Sequence, residues 1–156
     1  MITIRPVLCL DGPKTAKRRM RCRVCGREIR KGETYWVEEF YEGPYKRRRA
    51  LCTECAKRAL YLHVRDLVLW SRWRATDECM MNTGTGLKAV EAAAITMLAP
   101  GLLTREREKH CQKIINENGF TVLFTKRETK IAEQMGIDLK KLVKQIDNSA
   151  IVNIKP

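Results

Sequence analysis

Cys22-Arg-Val-Cys25 and Cys52-Thr-Glu-Cys55 place four thiols in two matched pairs. Two CxxC pairs supply the ligand number and softness of a closed tetrahedral thiolate site, and zinc suits such a site better than iron or copper. Four protein ligands leave no open coordination position, so the ion would hold a fold together and would not activate water. The expected cofactor is therefore one structural Zn2+ on Cys22, Cys25, Cys52 and Cys55. Neither pair sits in a βαβ pattern, which argues against a redox role. The remaining cysteines, Cys9, Cys79 and Cys111, read as free thiols packed like small hydrophobes. Seven cysteines is an odd number, and Met1–Arg5 has no signal-peptide pattern. The expectation is a reducing compartment, cytoplasmic or nucleoid-associated.

Basic side chains crowd around the cysteines. The formal net charge is +13. Residues 1–75 hold 19 Lys+Arg against 8 Asp+Glu, a balance of +11, and residues 76–156 hold 12 against 10, a balance of +2. Such asymmetry reads as an electrostatic footprint for a polyanion. Arg18, Arg19, Arg21 and Arg23 flank the first cysteine pair. Lys46, Arg47, Arg48 and Arg49 lead to the second. Tyr35, Trp36, Tyr41 and Tyr45 lie among these charges, and aromatics beside arginines can stack on unpaired bases. Phosphate contacts alone carry no sequence information.

The elements that must position these groups follow from periodicity and turn chemistry. Ile2–Leu10 alternates as a short strand, and Asp11-Gly12-Pro13 marks a turn. Thr34–Tyr41 is β-branched and aromatic, so it reads as a strand. Glu42-Gly43-Pro44 turns the chain, and Tyr45–Leu51 returns to deliver Cys52. A helix is expected from Thr53 to about Arg74. Ala56, Leu60, His63, Leu67 and Trp70 repeat at helical spacing, and Leu62, Val64, Leu69 and Trp73 widen the apolar surface beyond one stripe. Residues 77–86 read as a linker between a zinc-binding basic module (1–76) and a helical domain (87–156). Helices are expected at Leu87–Ala99 and Thr104–Asn118. Phe120–Phe124 is a short apolar strand. Thr125 and Glu128 form a capping box for a helix from Lys126, Asp138 caps another over Leu139–Asp147, and Ala150–Ile154 closes the chain as a strand. The fold class is α+β.

The order of knuckle (CRVCG), hairpin, then CxxC opening a helix resembles the treble-clef zinc finger over about residues 20–75. Glu128–Asp147 resembles, more weakly, the helix-turn-helix of phage repressors of the Cro type, through Ile131, Ala132, Met135, Gly136, Ile137 and Leu142. That resemblance implies a recognition helix at Leu139–Asp147, with Lys130 on the backbone side and Lys140, Lys141, Lys144 and Gln145 facing DNA. The sequence departs from the motif at Leu139 and Val143, positions usually exposed to DNA, which here complete an apolar stripe with Leu142 and Ile146.

Catalysis finds little support: the two histidines, His63 and His110, fall in no hydrolase pattern, and Thr83-Gly84-Thr85-Gly86 is no phosphate loop. Treble-clef nucleases keep a histidine in the metal hairpin, and residues 26–51 have none. No apolar run approaches the roughly 18–20 residues that cross a membrane. The leading expectation is a zinc-containing nucleic-acid-binding protein, DNA more than RNA, acting as a small transcriptional regulator. The alternative is an adaptor that docks on a larger complex such as RNA polymerase or the ribosome. The apolar helix 53–74 would then serve as a protein or homodimer interface.

Overall fold

Short antiparallel strands build the N-terminal half because its β-branched and aromatic runs are separated by tight glycine turns. The computed structural model describes residues 4–82 and 102–155. Strands β1 (Leu10–Thr15), β4 (Thr34–Glu42) and β5 (Tyr45–Leu51) form an antiparallel sheet in the order β1-β4-β5. Strands β2 (Met20–Arg21) and β3 (Glu28–Ile29) pair separately around the first cysteines. The β4–β5 hairpin turns through Gly43, at φ +61°, and its register sets Glu42 opposite Tyr45 and Trp36 opposite Leu51. Trp36 and Leu51 are both buried in the core.

The first strand lies further along the chain than its alternation suggests. Residues 4–9 are not a strand, and Asp11-Gly12-Pro13 is inside β1. The ladder with β4 shifts register between Asp11 and Lys14, which is how a strand absorbs turn-forming residues. Gly12, at φ +139°, lies against the Trp36 indole, where an added Cβ would come within 2.8 Å of Cε3.

Helix α1 spans Thr53–Asn82, eight residues beyond the expected end at Arg74. The stretch read as the start of a linker, Asp77–Asn82, is therefore helical, and residues 83–86 lie outside the described residues. So does the expected helix at Leu87–Ala99. The sequence has no helix-stopping glycine or proline between Arg74 and Asn82. Cys79 is bonded to Cys111, so these two are not the free thiols expected, and Cys9 is free and exposed. The pairing joins α1 to α2 (Leu102–Asn118), two helices whose cysteines are 32 residues apart in sequence.

The C-terminal half begins with β6 (Phe120–Phe124), followed by α3 (Lys126–Gln134), α4 (Leu139–Ile146) and β7 (Ala150–Ile154). Its local signals are realised. The Thr125 hydroxyl accepts from the Glu128 amide, Glu128 accepts from the Thr125 amide, and the Asp138 carboxylate accepts from the Lys141 amide. Strands β6 and β7 pair in parallel, so α3 and α4 together make the crossover that parallel strands require. Buried residues from both halves form one core, from Leu10, Trp36 and Leu60 through Val64 and Leu67 to Phe120, Val122, Phe124 and Val143. Helix α1 packs against elements of both halves.

Two polar clasps sit on α1. His63 is hydrogen-bonded to Glu128, which also accepts from Arg5 at 2.7 Å and from the Thr125 amide at 2.8 Å. Arg72 reaches Gln112 on α2 and Asp147 at the end of α4, and its guanidinium lies 5.6 Å from the Phe120 ring centroid. Burial pushes the Glu128 carboxyl up, but the hydrogen bonds from His63, Thr125 and Arg5 outweigh it and hold the group down at about 2. A carboxylate held below its ordinary value of 4.5 stabilises the fold above that value. The contribution is lost as pH falls toward about 2. Urea unfolding should therefore show stability dropping between about pH 5 and pH 3 in the wild type. Glu128→Gln should flatten that dependence, and Glu128→Ala should cost about 3 kcal/mol at neutral pH. Identical pH profiles for wild type and Glu128→Gln would remove the clasp from the stability of the fold.

Candidate metal centre and basic face

The first cysteine pair sits on a knuckle between β2 and β3. The Cys22 amide donates to the Arg27 carbonyl at 2.8 Å, and the Gly26 amide donates to the Cys22 carbonyl at 2.9 Å. Gly26 turns the chain at φ +77°, a conformation that favours glycine. The second pair lies where β5 gives way to α1. The Cys52 carbonyl accepts the first helical bond, from the Ala56 amide at 2.9 Å, and Cys55 is in the first turn. One further bond joins the two halves of the site: the Arg23 amide donates to the Ala50 carbonyl at 3.0 Å.

All four sulfurs lie within 4.8 Å of one another, and Cys25 Sγ is 3.7 Å from Cys52 Sγ. Zinc–sulfur bonds of about 2.3 Å at tetrahedral angles require sulfur–sulfur edges of about 3.8 Å. The cluster therefore has the size that one such ion needs, and its donors are all soft. Cys22, Cys52 and Cys55 are buried, and Cys25 is exposed.

The thiols respond to one another. Burial pushes Cys22 up, but donation from the backbone amides of Cys25, Cys52 and Val24 brings it down to about 6. Burial pushes Cys55 up to about 12, reinforced by the neighbouring thiols of Cys22, Cys52 and Cys25. Cys52 is raised for the same first reason. Once one sulfur is a thiolate, its neighbours resist ionisation. A bound dication reverses that balance, because it coordinates thiolates and deprotonates its ligands.

The basic residues divide into groups with different surroundings. Lys46, Arg47, Arg48 and Arg49 are not a free charge run. Lys46 and Arg48 both reach Glu39, at 3.0 and 3.1 Å; Arg49 reaches Glu38 at 2.5 Å, and Arg47 reaches Glu42 at 3.8 Å. The two-residue turn forces this pairing by setting Glu38 and Glu39 opposite Arg49 and Arg48. On the knuckle side, Arg19 pairs with Glu28 at 2.7 Å and the Arg21 side chain caps the Gly26 carbonyl. Arg18 and Arg23 are exposed and have no carboxylate partner among the described residues. The same holds for Lys17, within the first basic run, and for Arg27, Arg30 and Lys31, which lie outside the two basic runs that stand out in the sequence. Their signal is a local imbalance: between Lys14 and Lys31 there are nine cations and one acid, Glu28.

Arg23 meets Arg47, Arg48 and Arg49 in one cleft between knuckle and hairpin, so the structure brings part of both groups together. Lys130, Lys140, Lys141 and Lys144 line no part of that cleft. On α4, Leu139 is 7% exposed and Val143 is fully buried. The positions that a helix-turn-helix presents to DNA are in the core here. No family model matches the chain, and neither a curated protein nor a solved structure matches it.

The reduced protein should bind one equivalent of zinc. Chelation, or Cys55→Ser, should release the knuckle and the first turn of α1, since a structural zinc ion on four thiolates contributes on the order of 10 kcal/mol. Hydrogen exchange at the Cys22 and Gly26 amides reads this directly. Unchanged protection after complete chelation would show that the four thiols fold without an ion.

Proposed function

We propose that this chain is a zinc-stabilised, non-catalytic nucleic-acid-binding protein of the treble-clef type, with DNA the preferred polymer and transcriptional regulation its setting. One observation carries the reading. Six cations on the segment that carries the first cysteine pair, Lys17, Arg18, Arg23, Arg27, Arg30 and Lys31, have no carboxylate partner among the described residues. Unpaired surface cations repel one another, and a polyanion relieves that repulsion while releasing counterions. The zinc ion supplies rigidity, which holds these charges in a fixed pattern without large loss of backbone entropy on binding.

The knuckle leads in this reading and the helix pair follows. Lys130, Lys140, Lys141 and Lys144 add favourable charge at a second place, but burial of Leu139 and Val143 withdraws the base-reading face of α4. The adaptor reading rests on Leu62 and Leu69, which are 46% and 54% exposed and seven residues apart on α1. Arg58 and Arg65 interrupt that surface, and scattered apolar side chains are normal on a monomer. Among the described residues no helix is long and apolar enough to cross a membrane.

Fluorescence anisotropy of the zinc-loaded protein over a salt series tests the proposal. Affinity for DNA should fall steeply with salt. Arg18→Ala, Arg30→Ala and Lys31→Ala should each lower the logarithmic salt slope by about one wherever a phosphate contact is lost. A slope unchanged in the triple variant, or no binding at low salt, would refute the reading. Polar substitution of Leu62 and Leu69 should leave DNA affinity intact.

A further inference from the structure

The cleft between the knuckle and the hairpin has a chemistry that a plain basic surface lacks. It encloses about 460 Å³ and is lined by Arg23, Phe40, Glu42, Arg47, Arg48 and Arg49. That volume falls within the range of sites for small ligands. Arg23, Arg47 and Arg49 line the cleft with one carboxylate, Glu42, so it favours anions; Arg48 lines it too, but its guanidinium turns to Glu39 on the other face of the hairpin. Its aromatic wall is Phe40, and the Arg49 guanidinium lies 4.9 Å from the ring centroid. A guanidinium stacked on a ring is a flat, polarisable surface, and bases stack on both partners.

The lining groups differ in how firmly they are held. Arg49 is fixed by two contacts to Glu38, at 2.7 Å from Nε and 2.5 Å from Nη2. Arg47 is only loosely paired with Glu42, at 3.8 Å on an exposed surface, and such pairs contribute little and exchange readily. Arg23 has no carboxylate partner among the described residues, and its backbone is tied to the Ala50 carbonyl between two metal-ligand cysteines. One wall is thus rigid and apolar, and the opposite groups are cations free to accept an oxyanion.

We infer that this cleft is a nucleotide subsite: an unpaired base lies against Phe40 and Arg49, and its adjoining phosphate bridges Arg23 and Arg47. The inference rests on the nucleic-acid reading above and adds a substrate class to it, single-stranded over fully paired nucleic acid. A base held in a stack within a duplex cannot enter a side cleft without unstacking, whereas a single strand offers bases at little cost. Tyr45, exposed beside the hairpin turn and opposite Glu42, extends the aromatic surface next to the cleft, and the Arg47 guanidinium lies 5.7 Å from its ring centroid.

The test titrates the zinc-loaded full chain with fluorescein-labelled oligothymidylate and with the duplex it forms with oligoadenylate. The wild type should bind the single strand about tenfold more tightly than the duplex, a ratio within reach of one stacked base. Phe40→Ala should abolish that preference while duplex affinity stays unchanged, which also reports that the variant is folded. Phe40→Tyr, which keeps a stacking plane, should retain the preference. Arg47→Ala should weaken single-strand binding more than duplex binding, and Arg30→Ala, outside the cleft, should weaken both alike. Equal affinity of wild type for the two ligands, or equal losses for both in Phe40→Ala, would overturn the subsite and leave the basic knuckle standing. Failure of both ligands to bind at low salt would overturn both readings.

Discussion

Four sulfurs gathered within 4.8 Å are the constraint on which the N-terminal half depends. The chain cannot ionise them all without a cation, since like charges at that distance in a buried site oppose one another. It cannot easily leave them neutral either, because the knuckle amides draw a thiolate at Cys22. A dication bound to the four sulfurs would balance the arrangement. Much else follows from it. The knuckle holds β2 to β3, the Arg23–Ala50 bond holds the knuckle to β5, and Cys52 sets where α1 begins.

Charge is organised by the same scaffold, in an order that raw composition hides. The strand with the densest basic run is the one whose charge is largely offset, because the hairpin lays Glu38, Glu39 and Glu42 beside it. The unpaired charge sits on the knuckle, where the one acid between Lys14 and Lys31 is engaged with Arg19. Cross-strand pairs of this kind are worth little each but fix side-chain directions. They leave an ordered arginine wall at the cleft in place of a diffuse cloud of flexible cations.

Features set by near neighbours in sequence were legible, and features set by distant ones were not. The CxxC pairs, the Thr125–Glu128 capping box, the Asp138 cap, β6 and β7 all depend on groups a few residues apart, and each lies where its residues imply. The β4–β5 ion pairs were within reach as well, since a two-residue turn after Glu42 dictates the register. The position of β1 was not, because its pairing with β4 and the Trp36 indole above Gly12 override the turn signal. Nor was the role of Glu128. Its capping function is local, but its bond to His63 spans 65 residues, and no periodicity announces that. Cys79 and Cys111 belong with these, read as independent thiols until α1 and α2 pack together.

Helix α1 is about 45 Å long by its 30 residues. Its first turn carries Cys55, directly after Cys52, its middle carries His63 and Arg72, and its far end carries Cys79. One rigid rod therefore belongs to the metal centre and to the C-terminal core at once. A fragment ending at residue 76 would keep all four metal ligands, yet would strip Glu128 from His63, Asp147 and Gln112 from Arg72, and the Phe120 ring from beneath a guanidinium. The metal centre therefore shares one helix with the C-terminal contacts, and a cut at residue 76 would expose partners on both sides of it.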